Sequence, residues 1–541
     1  MNRLILDDVA QRRLDTLLPA QAVAQGDATW LISGDDRLSF AAGHDLVERY
    51  AAGFHSQGVG RGDVVAVLMD SCIDYVLVVL ALIRVGAVHM PVNTAFRGAF
   101  LGRLLEHAEP RCVVVDEPYV EQLLSATPDG LKPLLVVRGD EAAAEGPFTV
   151  TAVSTLAAPG NCAPSVDTRH DDVAAITYTS GTTGRSKGVI QTHHYWLTAT
   201  EAMSSGRDIR EGDVFYSCTP MFHAGAWLLN IYPSLLYGLP LGIDSWFSVT
   251  DFWSSVRRYG ATQLFTLGAM HMWLWGQPPG ADDAANPARI WTAVPLAGDL
   301  VEPFTERFGL EGVFSAYGQT EIMPAAIADV RRRWKPGSAG IAQPHLELQV
   351  VDDLDRVVAP GEVGELVCRP KTPDSMFSGY FKMPDETLRA FRNLWYHTGD
   401  LARIDADGEL FFVDRKADYL RRRGENISSL EVEEAIRDHP DVADVAVYGV
   451  PAGESEDEIK ASVVTADGAV LDPPALAAYC SENLPYFAVP RYIELIEALP
   501  RTPTGRVQKF LLRDAGVTDQ TWDAVAAGFT AATRHGRGRR P

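Results

Sequence analysis

Two short stretches carry residues whose types and spacing suit phosphate chemistry. The first is TYTSGTTGRSKGV, residues 177–189, where the apolar run VAAITY leads into a loop of hydroxyl residues and glycines ending on Lys187. Glycines let backbone N–H groups approach a phosphate, hydroxyls add donors, and lysine supplies a mobile charge. It is not a Walker loop: counting from Gly181, that pattern wants glycine at Ser186 and Ser or Thr at Gly188. A Ser/Gly-rich surface turn would have the same composition, but the apolar run before it and Lys–Gly–Val after it favour a phosphate loop. The second stretch is PRTPTGRVQK, residues 500–509, where a Pro–Thr–Gly loop presents Arg506 and, three residues on, Lys509, cations that read either as a solvated surface feature or as the charge that drives a reaction.

Composition bounds the frame that holds these loops. At 541 residues the chain is too long for one ordinary core, so two or more domains are expected. Apolar residues make up 46% and charged residues 22%, the balance of a soluble globular protein. A net charge of −23 argues against a nucleic-acid partner, which needs a basic face. The one basic run, RHGRGRR at residues 534–540, reads as a solubilising tail. Cysteines 72, 112, 162, 218, 368 and 480 form no CxxC pair, so neither a disulfide frame nor a zinc site is expected. The first residues, MNRLILDDVAQRRLDTLL, lack the apolar core of a signal peptide. The most apolar run, Tyr75 to Ile83, is far short of the roughly 18 residues that a membrane span needs. A cytoplasmic protein without a membrane span is the expectation.

Short apolar runs alternate with helical patterns through the first part of the chain. GDVVAVLM, AVHMPVN, RCVVVD and PLLVVRG read as buried strands, and IDYVLVVLALIRVG as a helix. Such alternation predicts an α/β fold with mostly parallel, doubly wound sheets, whose ligands sit beyond the carboxyl ends of the strands. From about residue 418 the pattern becomes helix, strand, strand, helix, strand, a compact α+β unit.

With YTSGTTGRSKGV, five further motifs occur in order over nearly the whole chain: YGQTE (317–321), GSAGIAQP (337–344), WYHTGDLARIDADGEL (395–410), DRKADYLRRRGENISSLEVEEAI and PRTPTGRVQK. Together they closely resemble the adenylate-forming superfamily of acyl-CoA synthetases, firefly-type luciferases and peptide-synthetase adenylation domains. RRRGENISSLEVE and TWDAVAAG are most similar to the crotonobetaine/carnitine-CoA ligase branch. The resemblance implies a large N-terminal domain (1–414) of doubly wound sheets with a small β-barrel-like part. It further implies a hinge at 415–418 and a small mobile C-terminal α+β domain (419–541).

The resemblance also implies roles for individual residues. Thr179, Ser180, Gly181, Thr182, Thr183, Gly184 and Lys187 would hold the nucleotide phosphates, with Thr182 also catalytic and Ser186 standing where proline is usual. Tyr317, Gly318, Gln319 and Thr320 would surround adenine and the α-phosphate, with Gly298 and Asp299 beside the base. Glu321 would hold Mg²⁺, a hard cation suited to one carboxylate plus phosphates. Asp400 and Arg415 would contact the ribose. His223 would sit near the reacting carboxyl, and Ala224, Gly225, Trp227, Gly268 and Ala316 would line the acid pocket; alone, a histidine among apolar residues is more often a satisfied core residue. Arg422, Arg423, Gly424 and Glu425 would face coenzyme A, with Arg421 beside them; a solvated basic turn is the other reading of this run. The hinge position, usually Asp or Lys, is Ala417.

Adenylate formation is an in-line attack of a carboxylate on the α-phosphate of ATP, with pyrophosphate leaving. Two anions meet, so a bridging cation is a large part of the catalysis. By the resemblance that cation is a lysine, and here the position holds Arg506. Its planar fork is bulkier and stiffer than an ammonium, and a misplacement of about 1 Å in a positioning group costs on the order of 10²-fold. Weak or lost adenylation is therefore expected, with thioester formation from the acyl adenylate and coenzyme A retained and a separate enzyme supplying the adenylate. The alternatives are an ordinary two-step acyl-CoA synthetase, acyl transfer to a carrier protein, and a non-catalytic binder of acyl adenylates. The expected ligands are ATP, AMP or acyl adenylate, Mg²⁺, coenzyme A and a hydrophobic carboxylic acid, bound by a monomer or homodimer.

Overall fold

The computed structural model describes residues 3–140, 148–157, 163–179, 186–294, 296, 298–415, 419–422, 425–451, 457–500, 507 and 509–529. Among them, two large sheets dominate. One runs in the order Val150–Ala152, Leu134–Arg138, Cys112–Asp116, Val64–Leu68, Val88–Pro91, Val173–Thr179 and Lys187–Thr192, parallel except for the last pair. In the other, Gly312–Gln319, Ile290–Val294, Gln263–Leu267, Phe215–Ser217, Leu241–Ile243 and Thr29–Ser33 are parallel neighbours, with antiparallel strands at both edges. The mostly parallel α/β architecture expected from the alternating pattern is present twice.

The run Tyr75 to Ile83 explains how the sheets are joined. It lies in the helix Ile73–Arg84, and every residue of the run is buried. A helix that is apolar all round must be covered on all sides. This one packs on Val88–Pro91 of the first sheet and on Thr29–Ser33 of the second. Burying each large aliphatic side chain contributes about 1.5–3 kcal/mol, so this helix is a main support of the shared core.

Both sheets direct their carboxyl ends to one place. Val173–Thr179 leads into the phosphate loop, and Gly312–Gln319 carries YGQ at its end. A third, antiparallel sheet is formed by Leu346–Val351, Gly364–Pro370, Trp395–Ile404, Phe391–Arg392 and Leu410–Arg415. This is the part expected to be barrel-like. Among the described residues its pairings do not close: they run from Leu346–Val351 through Gly364–Pro370 to Trp395–Ile404, which also pairs with Phe391–Arg392 and Leu410–Arg415.

The C-terminal unit has its own core, centred on Val445, Ile459, Leu476 and Ile493. Its sheet orders Val442–Pro451, Asp457–Thr465, Tyr492–Leu495 and Trp522–Asp523. Helices Ser429–Arg437 and Pro473–Asn483 match the expected pattern. The hairpin Tyr419–Arg422/Glu425–Ser428 and the helix Lys509–Ala515 are additions that periodicity did not reveal, being too short for a clear repeat. Ala95 and Phe96 of the large unit pack against this core. Among the described residues no helix is long and apolar enough to cross a membrane.

Candidate functional site

A cavity of about 910 Å³ opens where the sheets meet the C-terminal unit. Its walls come from the strand end at Tyr178 and Thr179, from Ala316 to Glu321, from Thr398 and Gly399, and from Glu425, Ile427 and Glu431.

One corner is polar and rigid. The pairing of Gly312–Gln319 with Ile322–Ala328 shifts register between Tyr317 and Gln319, with the extra residues bulging from the Ile322–Ala328 strand around Pro324, opposite Gly318. A bulge re-aims the side chains around it. Here the Tyr317 hydroxyl and the Gln319 amide both donate to Asp400 Oδ2, at 2.6 and 2.8 Å. Asp400 is buried, its backbone N–H donates to the Thr398 hydroxyl at 3.1 Å, and its register partner is Arg415. A carboxylate held by two donors keeps a fixed direction, as a ribose acceptor must. Gly298 packs closely on neighbouring backbone. A Cβ there would stand 2.0 Å from the Gly337 nitrogen, so this glycine seats the 336–337 backbone. Asp299 is placed only as part of the 3₁₀ turn Gly298–Leu300.

Glu321 is buried beside this corner and accepts from the Tyr380 hydroxyl at 2.9 Å. Burial first, and the Glu321 charge second, raise the Tyr380 and Tyr396 hydroxyls well above their ordinary range. Both therefore remain donors at any working pH. Among the described residues no group of three or more His, Cys, Asp or Glu side chains could hold a metal. A single buried carboxylate on a nucleotide-sized cavity suits Mg²⁺ shared with phosphates rather than a closed protein site.

Of the phosphate loop, Thr179, Ser186 and Lys187 are described and line the cavity, while Ser180, Gly181, Thr182, Thr183 and Gly184 lie outside the described residues. Lys187 Nζ pairs with Glu386 at 2.9 Å and sits 4.9 Å from the centre of the Tyr380 ring. The Ser186 N–H donates to Glu431 Oε1 at 2.5 Å, and its hydroxyl donates to the same oxygen. Burial pushes the Glu431 carboxyl up to about 7.

The opposite corner is apolar, with Met203, Leu228, Leu229, Phe265, Val294 and Met323 in its wall. His223, Ala224, Gly225 and Ala316 are also in the cavity wall. Trp227 is not. It begins a π-helical turn, Trp227–Ile231, its indole N–H donates to the Met221 carbonyl at 2.7 Å, and its ring packs on Tyr75, His89 and Tyr232 in the core. Gly268 is the first residue of the helix Gly268–Trp275 and is placed no further. His223 Nε2 lies 3.0 Å from Glu425 Oε1, across the two units. Burial alone would lower His223; the Glu425 carboxylate reverses this and raises it.

The coenzyme residues divide. Glu425 faces the cavity, but Arg422 does not: its Nε pairs with Glu458 at 2.6 Å and its Nη1 donates to the Val489 carbonyl at 2.7 Å, inside the small unit. Arg421 is placed only as part of a strand. Arg423, Gly424, the hinge residue Ala417 and Arg506 lie outside the described residues. Lys509 is described, and its ammonium is held by Glu433 at 2.6 Å and the Ser429 hydroxyl at 2.8 Å. Sequence reasoning missed Glu386 and Glu431. Glu431 gave no local signal, because its partner Ser186 stands 245 positions away.

Comparison with known proteins places this geometry. The family model described as AMP-binding enzyme matches residues 18–381, and that of the AMP-binding enzyme C-terminal domain matches 431–506. A crotonobetaine/carnitine–CoA ligase of Salmonella arizonae is 31% identical over 480 residues, covering 87% of this chain and 92% of the relative. An o-succinylbenzoate CoA synthetase double mutant from Bacillus subtilis, bound with its product analogue OSB-NCoA, superposes with a TM-score of 0.79 at 25% identity, covering 92% of this chain and 98% of the other. The same enzyme in complex with AMP, also 25% identical, gives 0.64 over 93% of this chain and 99% of the other.

Proposed function

This chain belongs to the AMP-binding enzyme family, and on that premise we propose that it joins a hydrophobic carboxylic acid to coenzyme A with its first half-reaction weakened. It is an acid–thiol ligase of the AMP-forming type, acting through an acyl adenylate with ATP, Mg²⁺ and coenzyme A. The finer reading is that thioester formation is its strong step and that another enzyme supplies the adenylate. The observation that carries it is the C-terminal unit's face toward the cavity: Glu425 meets His223 and Glu431 meets Ser186. The whole-chain likeness is higher to the OSB-NCoA complex than to the AMP complex of one and the same enzyme, 0.79 against 0.64, which supports an arrangement suited to the thiol step.

Each half-reaction can be written on these residues. In the first, the substrate carboxylate oxygen forms a bond to the α-phosphorus as the bond to pyrophosphate breaks. Asp400 fixes the ribose and Lys187 and the phosphate loop take the phosphates; Glu321 would hold a Mg²⁺ ion, which would offset charge on the phosphates. In the second, the coenzyme thiol, as thiolate, attacks the acyl carbonyl and AMP leaves with the bonding pair. The large unit ends by residue 414, and the small unit from 419 turns on 415–418. Met203, Leu228, Leu229 and Phe265 make the acid an apolar one.

A paired assay tests the reading. One arm follows acid-dependent pyrophosphate release from ATP; the other follows thioester formation from preformed adenylates of hydrophobic acids. Response in the second arm alone is expected, and comparable rates in both would make this an ordinary two-step synthetase. Acyl transfer only to a phosphopantetheinyl carrier would instead make it a carrier-loading enzyme.

Two further outcomes follow from the geometry. A Cβ on Gly225 would stand 2.7 Å from the Phe265 ring, so Gly225→Ala turns that ring into the acyl corner. It should raise the KM for the acyl adenylate about tenfold, from an overpacking cost of about 1–3 kcal/mol, while leaving AMP affinity unchanged by calorimetry. The His223–Glu425 pair sets a pH dependence. His223 is raised when the units are docked, so the pair's contribution is full below the ordinary histidine pKa and is lost as pH rises through the raised value. The rate ratio of wild type to Glu425→Gln in thioester formation should fall from about fivefold at low pH toward one at high pH. A flat ratio would show that the pair does not hold the docked state.

A further inference from the structure

One fully buried cation stands behind the acyl corner. Arg207 follows the helix His193–Ser205 by two residues, is 0% exposed, and holds its guanidinium 5.3 Å from the centre of the Phe215 ring. Burial pulls this group down to about 10, so it keeps its charge at neutral pH. Its Nη1 donates to the Leu229 carbonyl at 2.5 Å, while its Nε and Nη2 have no hydrogen-bond partner among the described residues. Burying a charge is costly, and the acceptor this one meets is a carbonyl that its own helix cannot serve. In an α-helix Leu229 would accept from residue 233, which is proline and has no N–H. The proline ring also crowds the carbonyl four residues before it. The segment opens there into the π-helical turn Trp227–Ile231, closed by the Tyr232 N–H on the Trp227 carbonyl. Leu228 and Leu229 of that turn line the acyl corner, as does Met203 in the last turn of the helix before Arg207.

We propose that Arg207 sets the length of acid that the acyl corner accepts, by tying the Leu229 turn to the end of the Met203 helix from behind the cavity wall. The two elements pack on each other. Dispersion contacts between apolar side chains do not fix their spacing as a directed, charge-assisted hydrogen bond does. With the tie in place, Met203 and Leu229 stay together and close the corner. Without it the turn can move off the helix, and the corner deepens. The Asn230 amide, with its nitrogen turned that way, also donates to the Leu229 carbonyl at 3.1 Å and to the Tyr216 carbonyl at 3.3 Å. The Leu229 carbonyl therefore keeps a donor when Arg207 is replaced, and the turn survives. Arg207 is thus a positioning residue that acts through Leu229. The inference deepens the ligase reading and rests on it for the ligand being an apolar acid, but the tie itself is a property of the pocket.

The test is calorimetric titration of non-hydrolysable acyl-sulfamoyl analogues of the hexanoyl and decanoyl adenylates into the full chain, for wild type, Arg207→Lys and Arg207→Met. Arg207→Met should shift the ratio of the two affinities about tenfold toward the longer analogue, the scale of one or two further buried methylenes, with AMP affinity unchanged. Arg207→Lys keeps a cation on a flexible stem and should shift the ratio several-fold less; it carries the comparison if Arg207→Met does not fold. Equal loss of affinity for both analogues, or loss of AMP affinity with them, marks a merely structural role and overturns the proposal. Adding Pro233→Ala to Arg207→Met gives the Leu229 carbonyl an N–H of its own helix. Thermal stability should then rise while the length preference stays shifted, because the two walls remain untied. Return of the wild-type preference would show that the carbonyl needs only a donor, and would overturn the tie. If the ratio shifts while no protein forms thioester from preformed adenylate, the pocket role stands and the ligase reading fails. If thioester forms and the ratio does not shift, the pocket role alone is wrong.

Discussion

Replacing Arg506 with lysine should raise acid-dependent pyrophosphate release on the order of 10²-fold and leave thioester formation from preformed adenylate at the wild-type rate. The reason is steric as much as electrostatic. On the proposed reading both side chains would bring a positive charge between carboxylate and α-phosphate, but the guanidinium is a wide planar fork and the ammonium a compact point at the end of a flexible stem. The nearest described cation of the same segment does not substitute. Lys509 is tied to Glu433 and Ser429, both on or next to the first turns of a helix in its own unit, so movement of that unit as a body carries the pair along intact. Thioester formation needs no cation from this loop, because no new phosphorus bond is made in that step. Equal pyrophosphate release from wild type and Arg506→Lys, at rates matching thioester formation, would overturn the account.

Asp400→Asn should weaken AMP and acyl-adenylate binding by about 10²-fold and so impair both half-reactions, the opposite signature to Arg506→Lys. A carboxylate receiving the two ribose hydroxyls makes two charge-assisted hydrogen bonds, each worth about 1.5–3 kcal/mol. Asparagine keeps the shape of the residue and an acceptor for the Tyr317 and Gln319 donors, so the corner should remain folded. What it loses is the charge and one acceptor oxygen, whose amide replacement meets donors instead. Calorimetric titration with AMP checks this, and Tyr317→Phe, which removes only one of the groups that aim Asp400, should weaken AMP binding several-fold less. Full AMP affinity in Asp400→Asn would remove this residue from the nucleotide site.

Much of this protein is local in sequence. An apolar strand running into glycines, hydroxyls and a lysine is legible because the strand, the loop and the charge are contiguous, and the strand Val173–Thr179 stands where that reading puts it. The helix Ile73–Arg84 is legible because an apolar run with no polar face has only one environment that accepts it. Tyr317, Gln319 and Asp400 stand in short motifs, and the structure joins them by hydrogen bonds across two sheets, at a register shift in the strand pairing of the first two.

Side-chain direction was decided by the tertiary structure. Nothing in TPMFHAGAWLLN says that Trp227 turns into the core, since that depends on a π-helical turn closing over Tyr75 and His89. RRRGENIS does not disclose that Arg422 is held by Glu458, nor PRTPTGRVQK that Lys509 is held by Glu433. Glu431 is the extreme case, a helix residue among several acidic neighbours until the fold sets it on Ser186. The sequence by itself determined the longer strands and helices, the family and the class of chemistry, because those follow from hydrophobic period and from motifs a few residues long. Which cations stay free and which carboxylates meet the phosphate loop depended on pairs far apart in the chain, and a charge acquires its role only from the partner that packing brings within hydrogen-bond reach.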